Sequence, residues 1–154
     1  MSGVAVGVAV IVRPEARALL ARGAGSLLGT RLRKALRLMD RQGCEVTLLL
    51  TCDEEMRTLN RDFRKHDRAT DVLSFHQQDL GGETDPAGDG AFLGDIVLSV
   101  ETALRRSGRG RLPGELARLA IHGLCHLFGH DHHRPKPAKL MRALEQRLLR
   151  GTRG

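Results

Sequence analysis

The chain of 154 residues has no tryptophan, no tyrosine and only four phenylalanines. A surface that reads RNA by stacking bases on aromatic rings has little to be built from. The three cysteines, Cys44, Cys52 and Cys125, form an odd set without a C-x-x-C pair. That argues against a disulfide framework and a thiolate zinc site, and leaves them as small buried apolar residues. No apolar run approaches the roughly 20 residues that cross a bilayer. The opening MSGVAVGVAVIV lacks a basic leader region, and its valines at 4, 6, 8, 10 and 12 alternate as in a strand. It reads as a first strand rather than a signal peptide, and a cytoplasmic protein without membrane attachment is expected.

What the chain has in excess is arginine. Its 25 basic side chains, nearly all Arg, outnumber 18 acidic ones and give a formal charge of +7. A planar guanidinium fork suits phosphate, so the charge favours an anionic partner and would suit an RNA backbone better than stacked bases. A GC-rich coding sequence raises arginine content by codon usage alone, and charge by itself names no partner. One domain spanning residues 1–154 is long enough to bury a core without disulfides or a structural metal. A metal is then available for catalysis.

The chemistry concentrates in the run HGLCHLFGHDH, where His122, His126 and His132 stand at a H-x3-H-x5-H spacing. Five of the seven histidines lie between positions 122 and 133. Neutral imidazole is the commonest protein ligand for zinc, and a catalytic zinc takes three protein ligands and keeps one position open. Residues four apart share a helix face, so His122 and His126 can point at one ion. Gly129 lets the chain leave the helix and bring His132 back as the third ligand. One zinc ion per chain is the expected cofactor; solvated or core-bonded histidines are the alternative. His130 and His133 flank the third ligand and compete for its role. Cys125 lies about 100° round the helix from His126, which favours core packing over metal contact. The zinc-protease motif H-E-x-x-H places its general base directly after the first His. Here that position is Gly123, and peptide hydrolysis by that route is disfavoured.

Periodicity organises the rest. Pro14 starts a short helix over 14–22 that breaks at Gly23 and Gly25. Residues 26–41 form an amphipathic helix with Leu28, Leu32, Ala35, Leu36 and Met39 inside, followed by a strand over 44–51. Thr51 and Glu54 have the spacing of a capping box that opens a helix from Cys52 or Asp53 to about Arg64, with Met56, Leu59 and Phe63 on its inner face. Residues 71–76 read as a short strand and 92–100 as a fourth. Between them, 79–90 is a Gly- and Asp-rich loop, either a plain connection or a substrate lid. A short helix ends at Gly108. From Pro113 or Gly114 to Phe128 the chain is apolar almost all round, which predicts a buried central helix bearing His122 and His126. A last helix covers 136–150. Four strands and five or six helices in interrupted alternation predict an α/β or α+β fold around one mixed four-stranded sheet.

These motifs resemble the YbeY family of bacterial metal-dependent endoribonucleases, whose pattern H-G-x-L-H-L-x-G-Y-D-H is met at His122, Gly123, His126, Leu127, Gly129, Asp131 and His132. Leu124-Cys125 and His130 depart from it. LNRDFRKHDRATDVLSF, over 59–75, is similar to the family's L-N-x-x-[YF]-R-x-x-D-x-P-T-D-V-L-S-F with Ala69 in place of Pro, and LGDIVLS over 93–99 is a third block. The resemblance implies a four-stranded mixed sheet and a zinc ion on His122, His126 and His132. It implies cleavage of single-stranded RNA in 16S rRNA 3′-end maturation and in ribosome quality control. Ribosomal RNA, the small ribosomal subunit and its assembly factors are the implied partners, and Arg64 is the implied catalytic arginine.

Under this reading zinc lowers the pKa of its bound water to roughly 7 and supplies a nucleophile without a Glu base. Arg64 stabilises the charge gathering on the scissile phosphate. Without the block around it, Arg64 would read as a surface residue complementing a helix C-terminus. Asp95 and Asp131 can orient an imidazole through its second nitrogen, capping or turn roles being the alternative. Attack by the RNA's own 2′-hydroxyl, leaving a cyclic phosphate, fits the sequence as well as attack by water. Two other functions share the spacing: a ribosome-assembly RNA-binding factor with structural zinc, and a metal-dependent hydrolase of another substrate. The open fourth ligand position speaks against the first, and the missing Glu against a peptidase.

Overall fold

Apolar alternation along three segments builds the floor on which the histidine helix rests. The computed structural model describes residues 7–77, 92–129 and 138–153. Its elements run β1 (Val8–Val12), α1 (Pro14–Arg17), α2 (Ala24–Leu38), β2 (Glu45–Thr51), α3 (Asp53–Arg64), β3 (Val72–His76) and β4 (Phe92–Ser99). They continue with α4 (Val100–Ser107), a 3-10 turn at Arg109–Arg111, α5 (Leu112–Gly129) and α6 (Ala138–Gly151). The four strands form one sheet in the order β1-β2-β4-β3. β1, β2 and β4 are parallel and β3 runs antiparallel to β4, so this is the mixed α/β sheet expected from the sequence.

Because side chains alternate across a strand, each face has its own residues. Val46, Leu48 and Leu50 of β2 are buried and stand beside Val8, Val10 and Val12 on one side and Gly94, Ile96 and Leu98 on the other. This face meets α2 and α5 in the main core, with Leu32 and Leu36 from α2 and Leu116, Leu119 and Leu124 from α5. The opposite face carries Leu73, Phe75 and Val97, which pack with Met56 of α3. α5 is buried on most of its circumference, as its composition predicts, and touches β3, β4, α2, α4 and α6. No helix of the described residues is long and apolar enough to cross a membrane.

Three local expectations fail. α1 ends at Arg17, and of the two glycines only Gly23, at φ 81°, breaks the chain. Gly25 lies inside α2 because that helix rests on β1: a Cβ at Gly25 would stand 3.2 Å from Cγ2 of Val12, and one at Gly29 3.0 Å from Cγ2 of Val10. The capping box does not form either. Thr51 donates its hydroxyl to Glu55 at 2.6 Å, Glu54 is exposed, and the Asp53 N–H is accepted by Glu101 of α4 at 2.8 Å. Phe63 is 56% exposed, its ring in an edge-to-face pair with that of Phe75 at 5.5 Å between centroids. Met56 alone of the expected inner stripe is fully buried, and Leu59 is half-buried.

Candidate metal centre and cleft

Gly123 sets the distance between α5 and the sheet. A Cβ there would lie 2.7 Å from Cγ2 of Ile96 and 3.1 Å from Oγ of Ser74. Ser74 donates that hydroxyl to the Gly123 carbonyl at 3.0 Å. The position that holds the general base of a zinc protease therefore has no room for a glutamate. Its glycine is a packing requirement.

Next to this contact the helix presents His122 and, one turn on, His126. Their Nε2 atoms face each other at 2.9 Å, with ring centroids 4.4 Å apart. Nδ1 of His122 lies 2.5 Å from Oε1 of Glu145 on α6. That carboxylate assigns the proton to Nδ1 and leaves the Nε2 lone pair directed at its neighbour, which is the tautomer a metal ligand needs. Burial, then the neighbouring His122, lower the pKa of His126; Glu145 opposes the shift and Arg64 adds to it. Its neutral, ligating form is favoured.

Arg64 arrives from the other side. It is the last residue of α3, which stops because Lys65 turns left-handed at φ 62°. Asn60, buried inside that helix, holds the departing loop: its carbonyl accepts from the His66 N–H at 3.1 Å and its side-chain amide donates to the Arg68 carbonyl at 2.9 Å. The Arg64 guanidinium donates to the Ser74 carbonyl on β3 and lies with Cζ 5.3 Å from the centre of the Phe75 ring. Arg64, Ser74, His76, His122 and His126 line one cleft of about 270 Å³. No spacing in the sequence marks His76, which reaches this wall from the end of β3.

Asp95 is not brought to the histidines. It pairs with Phe75 across β3 and β4 and shares with Ile11, Phe75 and Val97 the sheet face opposite α5, where burial pushes its carboxyl pKa up. Glu145 is the residue that meets the imidazole. Its signal in the sequence is a carboxylate on the inward stripe of α6, next to the half-buried Met141 and Leu144 and the buried Leu148. Cys125 is buried in the main core, as expected of a small apolar residue. His132, Asp131, His130, His133 and the 79–90 loop lie outside the described residues. Among the described residues no three His, Cys, Asp or Glu side chains gather at one point. Two converging imidazole nitrogens, one of them backed by a carboxylate, are a donor set suited to zinc.

The family model described as Endoribonuclease YbeY matches residues 26–153. Curated proteins named Endoribonuclease YbeY are similar along most of this chain. That of Myxococcus xanthus is 48% identical over 130 residues, 83% of this chain and 43% of its own length. That of Anaeromyxobacter dehalogenans is 45% identical over 118 residues, 75% of this chain and 58% of its own. The chain thus spans about half the length of these two relatives. A Thermotoga maritima protein solved in solution has a TM-score of 0.59 at 24% identity, covering 94% of this chain and 88% of that one. This last likeness is one of fold.

Proposed function

The chain belongs to the YbeY endoribonuclease family, and on that premise we propose that it is a zinc-dependent endoribonuclease cleaving single-stranded RNA in the cleft between α5, α3 and β3. The observation that carries this reading is the meeting of the His122–His126 pair, backed by Glu145, with the Arg64 guanidinium. His122 and His126 would hold the ion, with His132 as the third ligand. A bound zinc supplies Lewis-acid activation of water and of a phosphoryl oxygen.

The chain's own residues do the rest. Glu145 fixes the His122 ring and its tautomer. Arg64, anchored on the Ser74 carbonyl and laid against Phe75, keeps N–H donors for a phosphate. Charge developing in the transition state then meets a cation already in place. Two features favour RNA over peptide. Position 123 has no space for a carboxylate base, and β3 is an edge strand whose Ser74 carbonyl, an acceptor for an extended peptide, is taken by Arg64.

The proposed cellular role is maturation of the 16S rRNA 3′ end and ribosome quality control. It places the protein in the cytoplasm with the small ribosomal subunit and its assembly factors. The test compares wild type with Arg64→Ala on labelled single-stranded RNA. Cleavage is expected to fall about 100-fold or more while zinc content and RNA binding persist. Unchanged turnover would remove Arg64 from catalysis, and a wild type that binds zinc and RNA without cutting would be an assembly factor. A 2′,3′-cyclic phosphate on the product would assign the attack to the RNA's own hydroxyl.

A further inference from the structure

We propose that the groove between β1 and the start of α2 is a second contact for the phosphate backbone of an RNA strand, remote from the histidines. The choice of RNA as occupant rests on the function proposed above. The groove encloses about 570 Å³, with Val10 and Val12 along it, Arg17, Arg22 and Arg33 among its walls, and no carboxylate among the described residues that line it.

What sets the groove apart is that three arginines without a carboxylate partner among the described residues line one concave surface. Elsewhere several guanidinium groups are engaged by carboxylates: Arg13 by Glu55, Arg57 by Asp67, Arg105 by Asp53 and Arg118 by Glu115. In the groove, Arg17 and Arg22 are exposed, and their guanidinium groups make no hydrogen bond or ion pair among the described residues. Among the described residues the Arg33 guanidinium donates to the Val8 carbonyl alone, at 3.3 Å. Cations gathered without a counter-charge repel one another, and a polyanion relieves that repulsion. None of the described residues lining the groove is an aromatic side chain on which a base could stack. Its chemistry is therefore that of sugar-phosphate recognition, in which Arg contributes paired donors.

Whatever the origin of the arginine excess, three of these residues line one concave surface. The family match begins at residue 26, so Arg17 and Arg22 stand outside it. β1 and β3 are opposite edges of the sheet. At about 4.8 Å per strand spacing these edges are about 14 Å apart. A long strand can meet both cleft and groove, and a very short one cannot.

The experiment uses the full chain carrying His126→Ala, as a binding reference that does not cut, with and without Arg17→Glu/Arg22→Glu. Each protein is titrated with single-stranded RNA of about 20 nucleotides over a range of salt concentrations. The groove variant is expected to lose affinity roughly tenfold at about 0.1 M salt, and its plot of log K against log salt to flatten by about 1.4, or about 0.7 per lost phosphate contact. Arg17→Gln/Arg22→Gln should show the same change with a smaller loss of affinity. Unchanged affinity and slope in the groove variant would overturn this proposal and leave the proposed function standing. A reference that binds no RNA would overturn both. Poly-glutamate binding at the groove as tightly as RNA would assign it to an acidic protein and overturn the choice of RNA.

Discussion

Glu145 governs how His122 offers its second nitrogen, and the consequence is measurable on one side chain. Truncation by Glu145→Ala leaves the ring free to turn and to change tautomer. Zinc affinity is expected to fall about 10- to 100-fold, with a smaller loss for Glu145→Gln, as read by titration against a competing chelator. Equal affinity in all three proteins would make the His122–Glu145 contact irrelevant to the metal. At this scale the histidines were legible because a spacing of four on an apolar helix is itself geometric information. Glu145 was not, since it stands 23 positions away on another helix. Asp95 shows the converse limit. Alternation places it across the strand from Gly94 and Ile96, but not which of the two faces α5 would cover.

Contacts between elements carry the site's position. Because a methyl at 123 collides with Ile96 and Ser74, Gly123→Ala must lift α5 off the sheet and carry His122 and His126 with it. A loss of about 1–3 kcal/mol is expected in denaturant unfolding, accompanied by weaker zinc binding. Unaltered stability would mean that the helix is not seated as closely as the Ser74–Gly123 bond requires.

A second junction joins α3 to α4. Burial raises the Asp53 carboxyl pKa, but hydrogen bonds from Ser99 at 2.5 Å, Thr102 at 2.7 Å and Arg105 at 2.8 Å outweigh it and hold the carboxyl below its ordinary value. A folded pKa below the unfolded one contributes stability above about pH 3.9 that disappears as pH falls through the folded value. The stability gap between wild type and Asp53→Asn should therefore be full near neutral pH and close in acid, as followed by urea unfolding across pH. A gap that stays constant would show that the Asp53 charge contributes nothing.

Elements themselves were readable to within a few residues wherever periodicity was long, as in α2, α5 and α6. Local signals failed where a distant partner competed. Glu101 of α4 replaced Glu54 at the start of α3, and the bed of Val10 and Val12 drew Gly25 into a helix.

The whole molecule adds what no element contains. A mixed four-stranded sheet followed from counting strands and helices, but the order β1-β2-β4-β3 did not, because pairing partners are chosen by tertiary packing. That order places the histidine cleft at the β3 edge and the arginine groove at the β1 edge. Part of the positive charge that named no partner in the sequence is thus engaged by carboxylates, and three arginines line one groove. The central claim is that the cleft holds one zinc and cuts RNA with it. It is tested most directly by measuring zinc content and single-stranded RNA cleavage on the same preparations of wild type and His126→Ala. The account predicts one zinc per chain and cleavage in wild type, with both lost in a His126→Ala protein that remains folded. Full zinc content with undiminished cleavage in His126→Ala would contradict it.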